Sequence, residues 1–230
     1  MYNLLDRNSE NYNYIPQSLD LRDTGLSFLN FIKDLNFSLQ YEDGSIRAVP
    51  VIFLSQELWA ERKLNWKYMR NEQGQEVTRP FIVVARTGVK MGTSPLKRVI
   101  PEKKKFKYIK VPTFDGTSKG YALYKIPQPV YVDQMYDLMF VSHYMTDVNL
   151  FYEKIFRDVY SARQAYLKVN GYDIMSVLED PTEDNDIDET KSEKIYQINF
   201  PIIIHGKLVN SADFEKVNTI KKISVKISEF

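Results

Sequence analysis

Two side chains of this sequence titrate near neutrality, His143 and His205. Each falls in strand-like alternation, with no Asp or Glu at a spacing that would pair it for acid–base work. Both therefore read as structural histidines. The chain has no cysteine, which removes thiol nucleophiles, disulfides and thiolate zinc sites. No GxSxG, phosphate-loop, GxGxxG, HExxH or paired-carboxylate pattern occurs, and nine glycines are too dispersed to build a phosphate cradle. The expectation is a protein that is not an enzyme, with no catalytic residues, metal site or cofactor.

Three charged or aromatic clusters remain. Asp184, Asp186 and Asp188 alternate like the start of a calcium loop, but Glu189 stands where that loop requires Gly and Ile195 where it requires a bidentate Glu. This excludes an EF-hand and leaves a solvated acidic loop over 179–193, or a loose cation site. Lys103, Lys104, Lys105, Lys107 and Lys110 interleave with Phe106, Tyr108 and Ile109. On a strand, Lys105, Lys107 and Ile109 face one way and Phe106, Tyr108 and Lys110 the other, so the charges form no single stripe. The patch fits a solvated hairpin, a sequence-blind and salt-sensitive phosphate contact, or an acidic protein partner. Trp59 with Arg62, then Trp66 with Lys67, gathers the chain's two tryptophans with residue types that dominate interface hot spots. They either cover one end of the core or form a subunit or partner interface.

The elements that must carry these residues point to an α+β protein: a twisted, mainly antiparallel sheet flanked by two or three helices. At 230 residues one core is the default. Residues 1–17 read as a polar arm, 18–210 as a single core domain and 211–230 as a C-terminal strand or arm. Within the core, Ser18 caps an amphipathic helix to about Asn36, with Gly25 weakening its middle. Asp43-Gly44 turns a hairpin whose second strand runs from Ile46 to Leu54, with Pro50 marking an edge or bulge. A short helix follows over 56–65, then an apolar strand from Phe81. Residues 91–121 read as a long basic loop or hairpin, with a short strand over Phe106–Val111.

Val130–Tyr144 carries apolar residues on both faces, the pattern of a central strand. Thr146 or Asp147 then caps a helix running to about Lys168. Gly171–Leu178 and Lys194–Leu208 read as strands, with Pro201 suggesting an edge or bulge in the second, and Lys222–Phe230 as a last strand. Apolar runs fall far short of the ~18 residues that span a bilayer. The first residues lack the basic start and apolar core of a signal peptide, so the chain is expected to stay where it is made. A net charge of +1 gives no global pull toward nucleic acid or membrane, while 13% aromatic residues favour wide β surfaces or protein contacts.

The order of these elements, with the stretches VPVIFLSQELWAERK, EVTRPFIVVARTGVK and PVYVDQMYDLMFVSHYMTDVNLFYEKIF, resembles the neck and tail-completion proteins of tailed bacteriophages, the tail-terminator-like family. The likeness spans about Ser18 to Leu208. It implies a virion structural protein of the head–tail connector: a ring of identical subunits joining portal-side neck proteins to the tail, with DNA passing through the lumen unread and no membrane involved. In such a ring each subunit shows two different, mutually fitting surfaces. Trp59, Arg62, Trp66 and Lys67 are then candidates for one of them, and Lys103, Lys104, Lys105 and Lys107 for contact with the DNA channel or an acidic partner. The other reading is a non-enzymatic nucleic-acid-binding module using Lys103–Lys110.

Overall fold

Asp20 starts the first helix. In the computed structural model, which describes residues 16–41, 44–54, 78–92, 106–115, 118–188 and 193–217, helix α1 spans Leu21–Lys33. The Asp20 carboxylate accepts from the Asp23 N–H at 2.8 Å, and Asp23 accepts in return from the Asp20 N–H at 3.2 Å. This reciprocal box satisfies two of the donors that every helix start leaves open. Ser18, the cap expected from sequence, is used elsewhere: its hydroxyl meets that of Ser211 at 2.7 Å and accepts from the Ser211 N–H. Thr24, Phe28, Leu29 and Ile32 form the buried face of α1.

Strands β1 (Ser38–Gln40) and β2 (Ile46–Ala48) form the expected hairpin, with Gly44 at φ 76° in its turn. The second strand does not run on to Leu54. Pro50 breaks it, and β3 (Val51–Leu54) joins another sheet beside β4 (Phe81–Met91) as a parallel neighbour. The expected helix at 56–65 and the strand at 222–230 lie outside the described residues.

Further along come β5 (Phe106–Asp115), β6 (Ser118–Pro127), β7 (Val130–Ser142), helix α2 (Met145–Lys154), β8 (Gln164–Val169), β9 (Tyr172–Leu178), β10 (Thr182–Asp188), β11 (Glu193–Leu208) and β12 (Glu215–Val217). The large sheet has the order β3-β4-β7-β11-β9-β8, with β10 also on β11. Only the β3–β4 pair is parallel. The fold is thus α+β with a mainly antiparallel sheet, as the sequence pattern indicates. Among the described residues no helix is long and apolar enough to cross a membrane.

Three expectations about this region change. The helix after β7 ends at Lys154, followed by one π-helical turn over Ile155–Val159, and does not reach Lys168. Ala165, Leu167 and Val169 are buried and alternate with exposed neighbours, so this stretch is β8, closed onto β9 by Asn170-Gly171 at φ 46° and 78°. Neither Thr146 nor Asp147 caps α2: the cap position is Tyr144, and Asp147 accepts from the Ser142 hydroxyl at 2.6 Å. The acidic segment expected as a loop is a strand over 182–188, because the sixteen-residue β11 offers it a full ladder of partners.

Pro201 lies in β11, a central strand, which ought to reject it. A residue in a strand directs its N–H and C=O to the same side, and the Pro201 carbonyl accepts from the Glu179 N–H at 2.9 Å. Its missing donor therefore points into the gap between Leu178, where β9 ends, and Thr182, where β10 begins. The proline costs the sheet no hydrogen bond.

Both helices pack on one face of the large sheet. Phe28 and Ile32 of α1, with Val148, Phe151 and Ile155, bury against Ile82, Val84, Tyr136, Leu138, Phe140 and Phe200. Phe140 stacks on Phe151 at 4.8 Å, and Phe37 meets both rings edge-on. A second cluster lies on the other face: Phe81, Val83, Ala85, Met139 and Val141 with Ile52, Leu54 and Ile195. Burial on both sides explains why β4 begins as an apolar run and β7 carries apolar residues on both faces.

Candidate functional site

The basic and aromatic segment forms a hairpin in a sheet of its own. β5 and β6 pair over their full lengths, from Phe106 opposite Pro127 to Asp115 opposite Ser118, and β12 adds to the other side of β6. The hairpin is two-faced because opposed residues share a face. Ala122 and Ile126 are buried, and Ile109, Val111 and Tyr124 are half-buried beside them. On the opposite face Phe106 is 45% exposed, Tyr108 is 58% exposed, and Lys110 is exposed. Two large aromatic faces beside a lysine are an unusual expense of apolar surface unless something covers them.

Lys125 fixes part of this surface. Its ammonium lies 4.1 Å from the Phe106 ring centroid and 2.9 Å from Glu215 Oε2, so one cation binds the aromatic of β5 and the carboxylate of β12 across β6. The three strands are tied through their side chains as well as their backbones. Among the described residues β5 has no strand on its outer edge, which leaves a row of backbone donors and acceptors beside the aromatic face.

Of the residues singled out by sequence, Lys107 lies on β5, exposed, opposite Ile126. Trp59, Arg62, Trp66 and Lys67, and likewise Lys103, Lys104 and Lys105, lie outside the described residues. The alternation read for the patch is observed: Phe106 and Tyr108 point away from the face of Lys107.

One pairing was not legible in the sequence. His205 on β11 stands directly opposite Asp133 on β7, and its Nδ1–H donates to Asp133 Oδ1 at 2.8 Å. His205 thus has the carboxylate partner that no motif spacing announced. Lys90 lies opposite Asp133 on β4, and Met175 opposite His205 on β9, so the four share one row across the sheet. The pair fixes the imidazole tautomer. Among the described residues no three His, Asp or Glu side chains converge as a metal site would require.

Two buried tyrosines have hydroxyls that the fold keeps neutral. Burial pushes the phenol of Tyr136 up to about 12, against a small opposing pull from Arg86 on the neighbouring strand. Burial pushes Tyr160 up to about 12 as well, partly offset by its hydrogen bond to Ser176 at 3.1 Å. Lys207, its ammonium 4.0 Å from the Tyr172 ring centroid, has its pKa lowered by burial. These groups are built into the core and its margins, whereas the hairpin presents its aromatics outward.

No protein-family model matches this chain, and no curated protein sequence matches it.

Proposed function

We propose that the chain is a structural protein that works by assembly: a ring-forming subunit of the head–tail connector of a tailed bacteriophage virion. It joins portal-side neck proteins to the tail and surrounds the DNA channel. The observation that carries the reading is β5, a ten-residue strand exposing Phe106 and Tyr108 beside an outer edge that no described strand covers. An open edge with aromatic anchors suits subunit contact by strand addition, in which backbone bonds supply affinity and the aromatics fill pockets of the next copy. A ring needs one such surface to meet a different surface of its neighbour. The resemblance of the three sequence stretches to neck and tail-completion proteins gives that ring its place.

Electron microscopy of the purified protein and of the particles that contain it tests this. The expected outcome is a closed ring, or a monomer that joins one on a preformed neck. A protein that stays monomeric and is absent from virions overturns the reading.

A second reading rests on the same face. Phe106 and Tyr108 with Lys110 offer the stacking rings and a cation of a single-strand binding platform. It requires DNA affinity that falls steeply as salt rises and falls again in Phe106→Ala/Tyr108→Ala. If affinity at low salt is undetectable, this reading ends and the assembly reading stands.

A further inference from the structure

Helix α1 passes close to the large sheet at Gly25, where a side chain would lie 2.9 Å from the Tyr136 hydroxyl. Beside this contact, toward the β3–β4 edge of the sheet, the helix and sheet part and leave an open cleft of about 380 Å³. Its walls are Leu26 and Leu29 of α1 and Phe53 of β3, with Tyr136 beneath them and Arg22 and Arg86 along its lining. Leu26 is 48% exposed and Phe53 36%, so the cleft holds apolar surface open to solvent.

The charges are one-sided. The lining contains two guanidinium groups and no carboxylate, and among the described residues neither Arg22 nor Arg86 has an ion-pair partner. Arg86 is only half exposed, on the strand position directly opposite Tyr136. A guanidinium beside apolar walls attracts an anion more strongly than one in open water, because fewer solvent dipoles screen it. The planar fork of Arg matches a carboxylate in particular. A neutral apolar compound would leave both cations unanswered, and a simple inorganic anion would leave Leu26 and Phe53 wet.

We propose that this cleft binds a small organic acid, a carboxylate carried on an apolar body. The carboxylate lies toward Arg22 and Arg86, and the body covers Leu26, Leu29 and Phe53. The volume holds about twelve heavy atoms at ~30 Å³ each, the share of one water molecule in the liquid. It falls within the usual size range of small-molecule sites. The site is separate from the β5–β6 hairpin and does not depend on the assembly reading.

Titration calorimetry of the full chain with sodium decanoate, which has a suitable number of heavy atoms, tests the proposal against decan-1-ol as the neutral match. Decanoate should bind saturably with one site per chain, about tenfold or more tighter than the alcohol, since one charge-assisted contact is worth at least that factor. Arg86→Gln should remove most of this preference. Arg22→Gln, at an exposed helix position where the fold is not at risk, should reduce it, and Leu26→Ser should weaken acid and alcohol alike. Circular dichroism verifies that each variant is folded. Absence of saturable binding while decanoate remains monomeric overturns the proposal. So does equal affinity for acid and alcohol, or a preference that survives loss of both arginines.

Discussion

His205 and Asp133, 72 positions apart in sequence, face each other across β11 and β7 with Nδ1 2.8 Å from Oδ1. Asp133 is nearly buried, so its carboxylate exchanges water for an imidazole donor, with Lys90 opposite it on the other neighbouring strand. Asp133→Ala leaves that imidazole nitrogen without its acceptor and should lower the free energy of urea unfolding by about 1–3 kcal/mol. Asp133→Asn keeps an oxygen that can accept from Nδ1 and should retain the larger part. If the two variants lose equally, the charge of Asp133, and not its hydrogen bond, is what the sheet uses here.

Gly25 is unfavourable in the interior of a helix by about 1 kcal/mol relative to Ala, yet α1 keeps it. The reason is the Tyr136 hydroxyl, which donates to Gln134 Oε1 at 3.0 Å and would lie 2.9 Å from an added methyl group. Gly25→Ala should therefore destabilise the protein by about 1–3 kcal/mol despite the better propensity. In a Tyr136→Phe background, where the obstructing oxygen is gone, the same change should be neutral or favourable by up to about 1 kcal/mol. A four-variant thermal melting cycle measures the coupling. An equal loss from Gly25→Ala in both backgrounds would show that the hydroxyl is not what demands the glycine.

Much of the fold could be read from local pattern. The apolar residues on both faces of β7, the helical spacing of Phe28 and Ile32, and the turn at Gly44 each act over a few residues, which is the range a sequence displays directly. The helix expected to reach Lys168 went too far because Ile155, Val159, Ala162 and Tyr166 keep a helical interval while Ala165, Leu167 and Val169 equally keep a strand's. Asn170-Gly171, the hairpin dipeptide, settles that contest. The acidic strand β10 was hidden for the opposite reason: its aspartates disfavour a strand locally, and the ladder on β11 overrides them. The pairs His205–Asp133 and Arg86–Tyr136 follow from sheet register, which no spacing within one segment reveals. At the hairpin, Phe106 and Tyr108 were placed by alternation alone, but their exposure depends on which face the rest of the chain covers.

That dipeptide can be tested by itself. Gly171 has φ 78° and no atom within 4 Å of where a side chain would begin, so a substitution there meets no clash. Any loss in Gly171→Ala is the cost of a left-handed backbone, roughly 1–2 kcal/mol. Asn170→Ala should lose more than the backbone alone, because its amide donates to the Ser18 carbonyl at 3.1 Å and to Asp23 Oδ2 at 3.0 Å, tying the hairpin to the start of α1. Chemical denaturation of the two variants measures both, and an Asn170→Ala protein as stable as Gly171→Ala would show that the tie contributes nothing.

The buried tyrosines should make the fold lose stability at alkaline pH. Tyr136 and Tyr160 each rise from 10.0 to about 12 on burial, so the folded state holds their protons more tightly than the unfolded chain does. Below pH 10 both states are protonated and stability is at its full value. Between pH 10 and about 12 the unfolded chain ionises first and gains the free energy of doing so, and stability falls by roughly 2–3 kcal/mol for each tyrosine. Above about 12 both states are ionised and these groups add no further slope. Tyr160→Phe and Tyr136→Phe should each flatten the decline of unfolding free energy across that window, whatever each does to stability at neutral pH. Urea unfolding at intervals from pH 9 to pH 12 measures the slopes. A wild-type slope unchanged by both substitutions would assign the alkaline loss to groups other than these two phenols.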